Sequence, residues 1–223
     1  MPLPMVHISI SKKILDAGLE ITDIPQFYLG AISPDAIHMR KDSNRDKKNR
    51  THLIPLGKLW RDVNQHEYYD FLLDFINTNE AKANIDFLWG YAIHILTDMH
   101  WTTSLYEDFC KKYNTDPSPI HERAEAYYND CDVLDYTLFN DCEWRNNVWQ
   151  SLERVKSVNS LDLLSAEEID SWNTRTRQWY NTDNIKHRTP IKYITKVAII
   201  DFISVCSKTI FQNIYSPKKR AFP

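Results

Sequence analysis

Apolar residues in this chain recur mostly at three- and four-residue intervals, the spacing that sets one stripe of a helix against a core. Over about residues 9–19, Ile10, Ile14, Leu15 and Leu19 keep that spacing and Gly18 supplies a stop, predicting a short helix. In the following DIPQFYLGAISPDA, Pro25 suits a helix start and Pro34 ends it, leaving Asp35 on a turn. Residues 66–77 carry Tyr68, Phe71, Leu72, Phe75 and Ile76 on one face, an amphipathic helix. From about Glu80 to Tyr113 there is no proline, and IDFLWGYAIHILTDMHW is apolar nearly throughout, so a long core helix is expected. Ser118 and Pro119 read as the N-cap and first residue of a helix running through His121 and Glu125.

Segments 143–157 and 165–182 alternate charged and aromatic residues, as packing helices with one wet face do. A last helix is expected from Pro190 to Tyr215, with Ile194, Val197, Ala198, Phe202, Val205 and Ile210 at core spacing and SPKKRAFP fraying beyond it. One stretch has nothing to bury: RKDSNRDKKNR, residues 40–50, holds six basic and two acidic side chains and predicts a mobile loop ending at His52. The chain holds only four glycines, whereas strand architectures use glycine freely at turns. The pattern therefore predicts an all-α fold, a single-domain multi-helix bundle over residues 1–223.

Composition narrows the class. A hydrophobic fraction of 43% with 13% aromatics belongs to a folded protein, and the negative mean hydropathy excludes a polytopic membrane protein. MPLPMVHISISKK lacks a basic region ahead of a long apolar one. No stretch is expected to reach the roughly 18–20 apolar residues of a membrane span, since VAIIDFISV is short and carries Asp201. A cytoplasmic protein is expected, with membrane contact at most peripheral. Cys110, Cys131, Cys142 and Cys206 show neither CxxC nor zinc-finger spacing, which predicts free thiols in a reducing compartment. A net charge of −3 carries no specific nucleic-acid signal.

Chemistry concentrates in the apolar helix. His94 and Asp98 lie four residues apart and project about 40° from one another. Burying an imidazole and a carboxylate there costs several kcal/mol unless they are paired or bind a metal. Both explanations, an internal hydrogen-bonded pair and a ligand set, are compatible with the pair alone. His121 and Glu125 repeat the spacing, and alone they also fit a solvated first helical turn. With His7, Asp35 and His52 upstream, the order H…D…H…HxxxD…HxxxE assembles imidazoles and carboxylates suited to zinc. His38, His66 and His187 show no partner spacing, and His100 points about 200° away from Asp98. Trp101 suits either a cleft wall or the core.

Through VH at 6–7, FYLGAISPD at 27–35, THL at 51–53, GYAIHILTD at 90–98 and HERAE at 121–125, the chain resembles the zinc-dependent phospholipases C, relatives of the fungal-type single-strand nucleases. The resemblance covers about the first 130 residues. It implies an all-α phosphodiesterase with up to three zinc ions. Asp35, His52, His94 and Asp98 match the ligands of the first, with Asp98 able to bridge to a neighbouring ion. His121 and Glu125 match two ligands of a second zinc, and His7 matches a ligand of a third. Two positions depart from the pattern. The histidine expected six residues after Asp98 is Ser104, and the N-terminal tryptophan of secreted members is absent from MPLPMV. One zinc thus has a full ligand set, while the second and third do not.

Zinc lowers the pKa of bound water toward about 7, and Asp35 is the candidate catalytic group to accept that water's proton. The expected substrate is a small phosphodiester or a lipid headgroup, which the basic loop between Asp35 and His52 is placed to attract. A non-catalytic helical protein holding a structural or partner-binding zinc remains the alternative. An HD-type phosphohydrolase is set aside because the sequence contains no His-Asp dipeptide.

Overall fold

A computed structural model describes residues 3–157, 161–180, 185 and 188–220. Among these residues the regular structure is helical and includes no strand: α1 (Pro4–Asp16), α2 (Ile24–Ile32), a 3-10 turn (Ser33–Met39), α3 (Arg45–Thr51), a short 3-10 turn (Trp60–Asp62), α4 (Gln65–Asn79), α5 (Ile85–Thr102), α6 (Leu105–Thr115), α7 (Arg123–Asp141), α8 (Arg145–Arg154), α9 (Ala166–Trp179) and α10 (Lys196–Arg220). The all-α expectation holds, and one buried apolar cluster runs from Met5 on α1 to Ile214 on α10.

The central element is α5, buried continuously from Asp86 to Met99. Asn84 caps it by accepting the backbone N–H groups of Asp86 and Phe87, and Asp86 in turn accepts N–H bonds from Thr22 and Asp23, pinning the α1–α2 loop to the first turn of α5. The crossing of α2 and α5 is backbone on backbone. A Cβ at Gly30 would lie 2.1 Å from the Phe87 carbonyl oxygen, and one at Gly90 2.0 Å from that of Phe27. Only hydrogens fit in that crossing.

Several boundaries differ from the expected ones, each for a local reason. α1 begins at Pro4 rather than about residue 9, with proline at its start and His7 inside it. Gly18, at φ 105°, ends it as expected: the Leu19 and Gly18 N–H groups donate to the Ile14 and Leu15 carbonyls in a Schellman cap. The basic stretch 40–50 is not a plain loop. Asn44 accepts the Lys47 N–H and starts α3 there. The expected helix through residues 80–113 breaks at Thr103–Ser104, where the Thr103 hydroxyl bonds the Met99 carbonyl and the Ser104 hydroxyl bonds that of His100. Ser118 is not a helix cap: its N–H donates to Asp116, and α7 starts five residues later, after Glu122.

The last helix starts at Lys196 instead of Pro190 because the preceding backbone is held elsewhere. The carboxylate of buried Asp130 accepts the N–H groups of Lys192, Tyr193 and Ile194 at 3.1, 2.7 and 2.9 Å. α10 continues past Tyr215 to Arg220, while Ala221–Pro223 lie outside the described residues, as do positions 181 and 182, the end of the expected 165–182 helix. Lys196–Tyr215, with mean hydropathy 1.3, is long and apolar enough to cross a membrane, contrary to the expectation drawn from VAIIDFISV alone. A third of that stretch is buried, and Ile199, Phe202, Ile203, Cys206, Ile210 and Ile214 belong to the core. All four cysteines are free.

Candidate metal centre

Three pieces of chain meet against α5. α1 brings His7, the 3-10 turn after α2 brings Asp35, the C-terminal cap of α3 is His52, and α5 carries His94 and Asp98. His7, His52 and His94 are each 1% exposed, Asp98 is 0%, and Asp35, at 8%, lies nearest the surface. The Gly30–Gly90 crossing brings the Ala31 carbonyl within 2.8 Å of His94 Nδ1, and His52 Nδ1 lies 2.9 Å from the Lys48 carbonyl. Both rings thereby donate Nδ1–H to backbone and turn Nε2 inward, the arrangement that orients metal-binding histidines.

The inward atoms converge without bonding one another. His52 Nε2 lies 3.3 Å from Asp98 Oδ2 and 3.4 Å from Asp35 Oδ1, while His94 Nε2 lies 3.9 Å from an oxygen of each. His7 Nε2 lies 3.6 Å from the other Asp98 oxygen, and its ring stacks on His94 at 3.7 Å. His7 Nε2, His52 Nε2, His94 Nε2, Asp35 Oδ1 and both Asp98 oxygens are buried with no hydrogen-bond partner. A tetrahedral shell with metal–ligand bonds of about 2.0–2.2 Å spaces its ligand atoms about 3.3–3.6 Å apart. The observed spacings sit at and slightly above that range. An internal hydrogen-bonded His/Asp pair would instead close to about 2.7–2.9 Å.

Two overlapping groups, His7/His94/Asp98 and Asp35/His52/His94, have donor atoms mutually close enough to hold a metal ion. His94 offers only Nε2, so it serves one ion. Asp98 belongs to the first group, and its Oδ2, 3.3 Å from His52 Nε2, also borders the second.

Electrostatics fits a cation at this point. Burial, aided by the neighbouring His52, pushes His94 down to about 3, and burial and His94 hold His7 well below its usual value, so both present the neutral imidazole a metal requires. Burial likewise pushes Asp98 up to about 6. Asp35 goes the other way. Burial alone would raise it, but the Lys48 ammonium, His52 and His94 outweigh that and hold it well below the usual carboxylate range.

Sequence spacing missed two groups at the most exposed edge of the cluster, beside Asp35. Lys48 Nζ lies 3.4 Å from Asp35 Oδ1 and 2.8 Å from His38 Nε2, and His38 Nε2 lies 3.6 Å from the same carboxylate. The signal for His38 was its i, i+3 relation to Asp35, which a 3-10 turn places on one side. His100 is engaged elsewhere, with the Tyr69 hydroxyl at 2.7 Å, and His66 is exposed. His187 lies outside the described residues. Trp101 belongs to the core, its Nε1 donating to the Tyr127 hydroxyl at 2.7 Å.

His121 and Glu125 stand apart from both groups. His121 precedes α7 instead of riding on it, pairs with Glu125 at 3.3 Å and reaches the Thr189 hydroxyl at 3.1 Å; Glu125 is exposed. Further along α7, half-exposed Tyr128 has its hydroxyl pKa raised by burial, by Cys131 and by the charge of Asp35.

Comparison with protein-family models, curated proteins and solved structures gives no match for this chain.

Proposed function

We propose that this protein is a zinc-dependent phosphodiester hydrolase of the phospholipase C type. The observation that carries the reading is the convergence of inward nitrogen and oxygen atoms of His52, His94, Asp35 and Asp98 that make no hydrogen bond, in two overlapping ligand groups and in the chain order of that family. Zinc, when bound, acidifies water toward a pKa of about 7 and polarises a phosphoryl oxygen. The chain's own groups supply the rest. Asp35, held ionised at the most exposed edge of the cluster, accepts the proton of the attacking water. Lys48, beside it, attracts a phosphate, and His38 steadies the lysine.

A second reading is favoured by one observation. Four of the five clustered residues are at most 1% exposed, as around a closed structural ion. The two readings separate in one experiment: metal content of the gently purified protein, followed by turnover of bis-p-nitrophenyl phosphate and of phosphatidylcholine. Zinc near one per chain with hydrolysis that Asp98→Asn abolishes is the expected result. Zinc without hydrolysis favours the structural ion, and hydrolysis that survives Asp98→Asn overturns the mechanism.

A further inference from the structure

Helix α3 has two faces. Lys48 and His52 look toward the metal centre, while Arg45, Asp46, Asn49 and Arg50 line a separate cavity of about 650 Å³, the volume of a small-molecule site. The chain leaving α3 closes that cavity with Leu53, Ile54, Leu56, Gly57, Lys58 and Leu59.

Three features of this wall point to the same ligand chemistry. First, its charge opposes that of the chain: Arg45, Arg50 and Lys58 stand against the single carboxylate of Asp46, in a protein of net charge −3. Neighbouring cations are engaged, Lys47 with Asp42, Lys48 with Asp35 and Arg61 beside Asp62, whereas Arg45, Arg50 and Lys58 have no carboxylate partner among the described residues. Second, the apolar part culminates in Leu56, 99% exposed at the tip of the turn Pro55–Lys58, with Leu53, Ile54 and Leu59 half-buried behind it. A lone exposed leucine is ordinary, but one projecting fully from a ring of unpaired cations is not.

Third, the turn out of α3 is held at a cost. The Ile54 and Leu53 N–H groups donate to the Asn49 and Arg50 carbonyls in a Schellman cap, yet the left-handed position usually given to glycine holds Leu53 at φ 52°. That conformation is unfavourable for a leucine, and it sets an apolar side chain in the cavity wall.

We propose that this face docks on an anionic lipid bilayer, with Leu56 inserted among the acyl chains and Arg45, Arg50 and Lys58 at the level of the headgroup phosphates. A convex apolar tip suits a deformable apolar phase, whereas a folded partner would need a pocket shaped for it. Cations at the interface add to such binding, and their side-chain stems tolerate partial immersion.

The test is flotation of the full chain with vesicles of phosphatidylcholine alone or mixed with phosphatidylserine. Binding is read without turnover, so its outcome is independent of the metal centre. Preferential binding to the anionic vesicles is expected, weakened by salt, reduced about tenfold by Leu56→Ser and roughly fivefold by each of Arg50→Gln and Lys58→Gln. All three positions are exposed, and circular dichroism confirms that the variants fold. Equal binding to both vesicle types, or variants that bind like the parent, overturns the proposal. So does calorimetric binding of glycerol phosphate at this face with no vesicle binding, which assigns the cavity to a soluble anion.

Discussion

Asp135 shows how much a single residue out of sequence context can carry. It sits in the core on α7, accepts the Met5 N–H at 3.0 Å and the Tyr180 hydroxyl, and burial pushes its carboxyl up to about 7. In the unfolded chain it titrates near 3.9. The folded state therefore holds this proton more tightly, and the resulting stabilisation is complete below about pH 4 and lost as the pH rises through about 7. Urea unfolding of Asp135→Asn beside the parent between pH 4 and 8 should show the difference in midpoint moving in the variant's favour as pH rises. A constant difference would mean that the carboxyl stays ionised throughout. Nothing near Asp135 in the sequence announces this role, because its partners lie 130 and 45 residues away. His94 and Asp98 were legible because four residues on an apolar helix bring them together without tertiary information. Lys48 was not, since its charge reads as solvent-facing until the fold turns α3 toward Asp35.

At the scale of elements, hydrophobic periodicity identified most helices, and polar groups decided where they stop. Two hydroxyls at Thr103 and Ser104 end α5 without proline or glycine, and a carboxylate on α7 delays α10 by six residues. Side chains of this kind read as neutral in a periodicity argument. The α2–α5 crossing is the element-level feature on which the candidate metal centre depends. Gly90→Ala would drive a methyl into the Phe27 carbonyl, a collision that only backbone displacement relieves, at a cost of about 3 kcal/mol. The same displacement moves Ala31, whose carbonyl orients His94. Thermal unfolding should therefore show a lower Tm, and zinc titration a weaker affinity than in the parent. A variant with reduced Tm but unchanged affinity would uncouple the crossing from the ligand set.

For the whole molecule, the groups of the cluster without hydrogen bonds are buried among the residues of one apolar core, with Asp35 nearest the surface. Leaving those groups without a cation costs folding free energy, so a metal bound there would be thermodynamically linked to the fold. Chelation should lower the Tm, and added zinc should raise it again in proportion to the logarithm of its concentration, by about 4 kcal/mol of stability at a thousand times Kd. Asp98→Asn should be nearly insensitive to either treatment. A parent protein whose Tm ignores both chelator and zinc would exclude a metal from the core.

The three hydrogen bonds that Asp130 accepts from residues 192–194 close a circuit of more than sixty residues at one side chain. Behind that point hangs α10, lying along α1. Force applied through the C-terminus therefore meets the core packing of α10 first, and Asp130 is loaded only after the helix has peeled from α1, which carries His7.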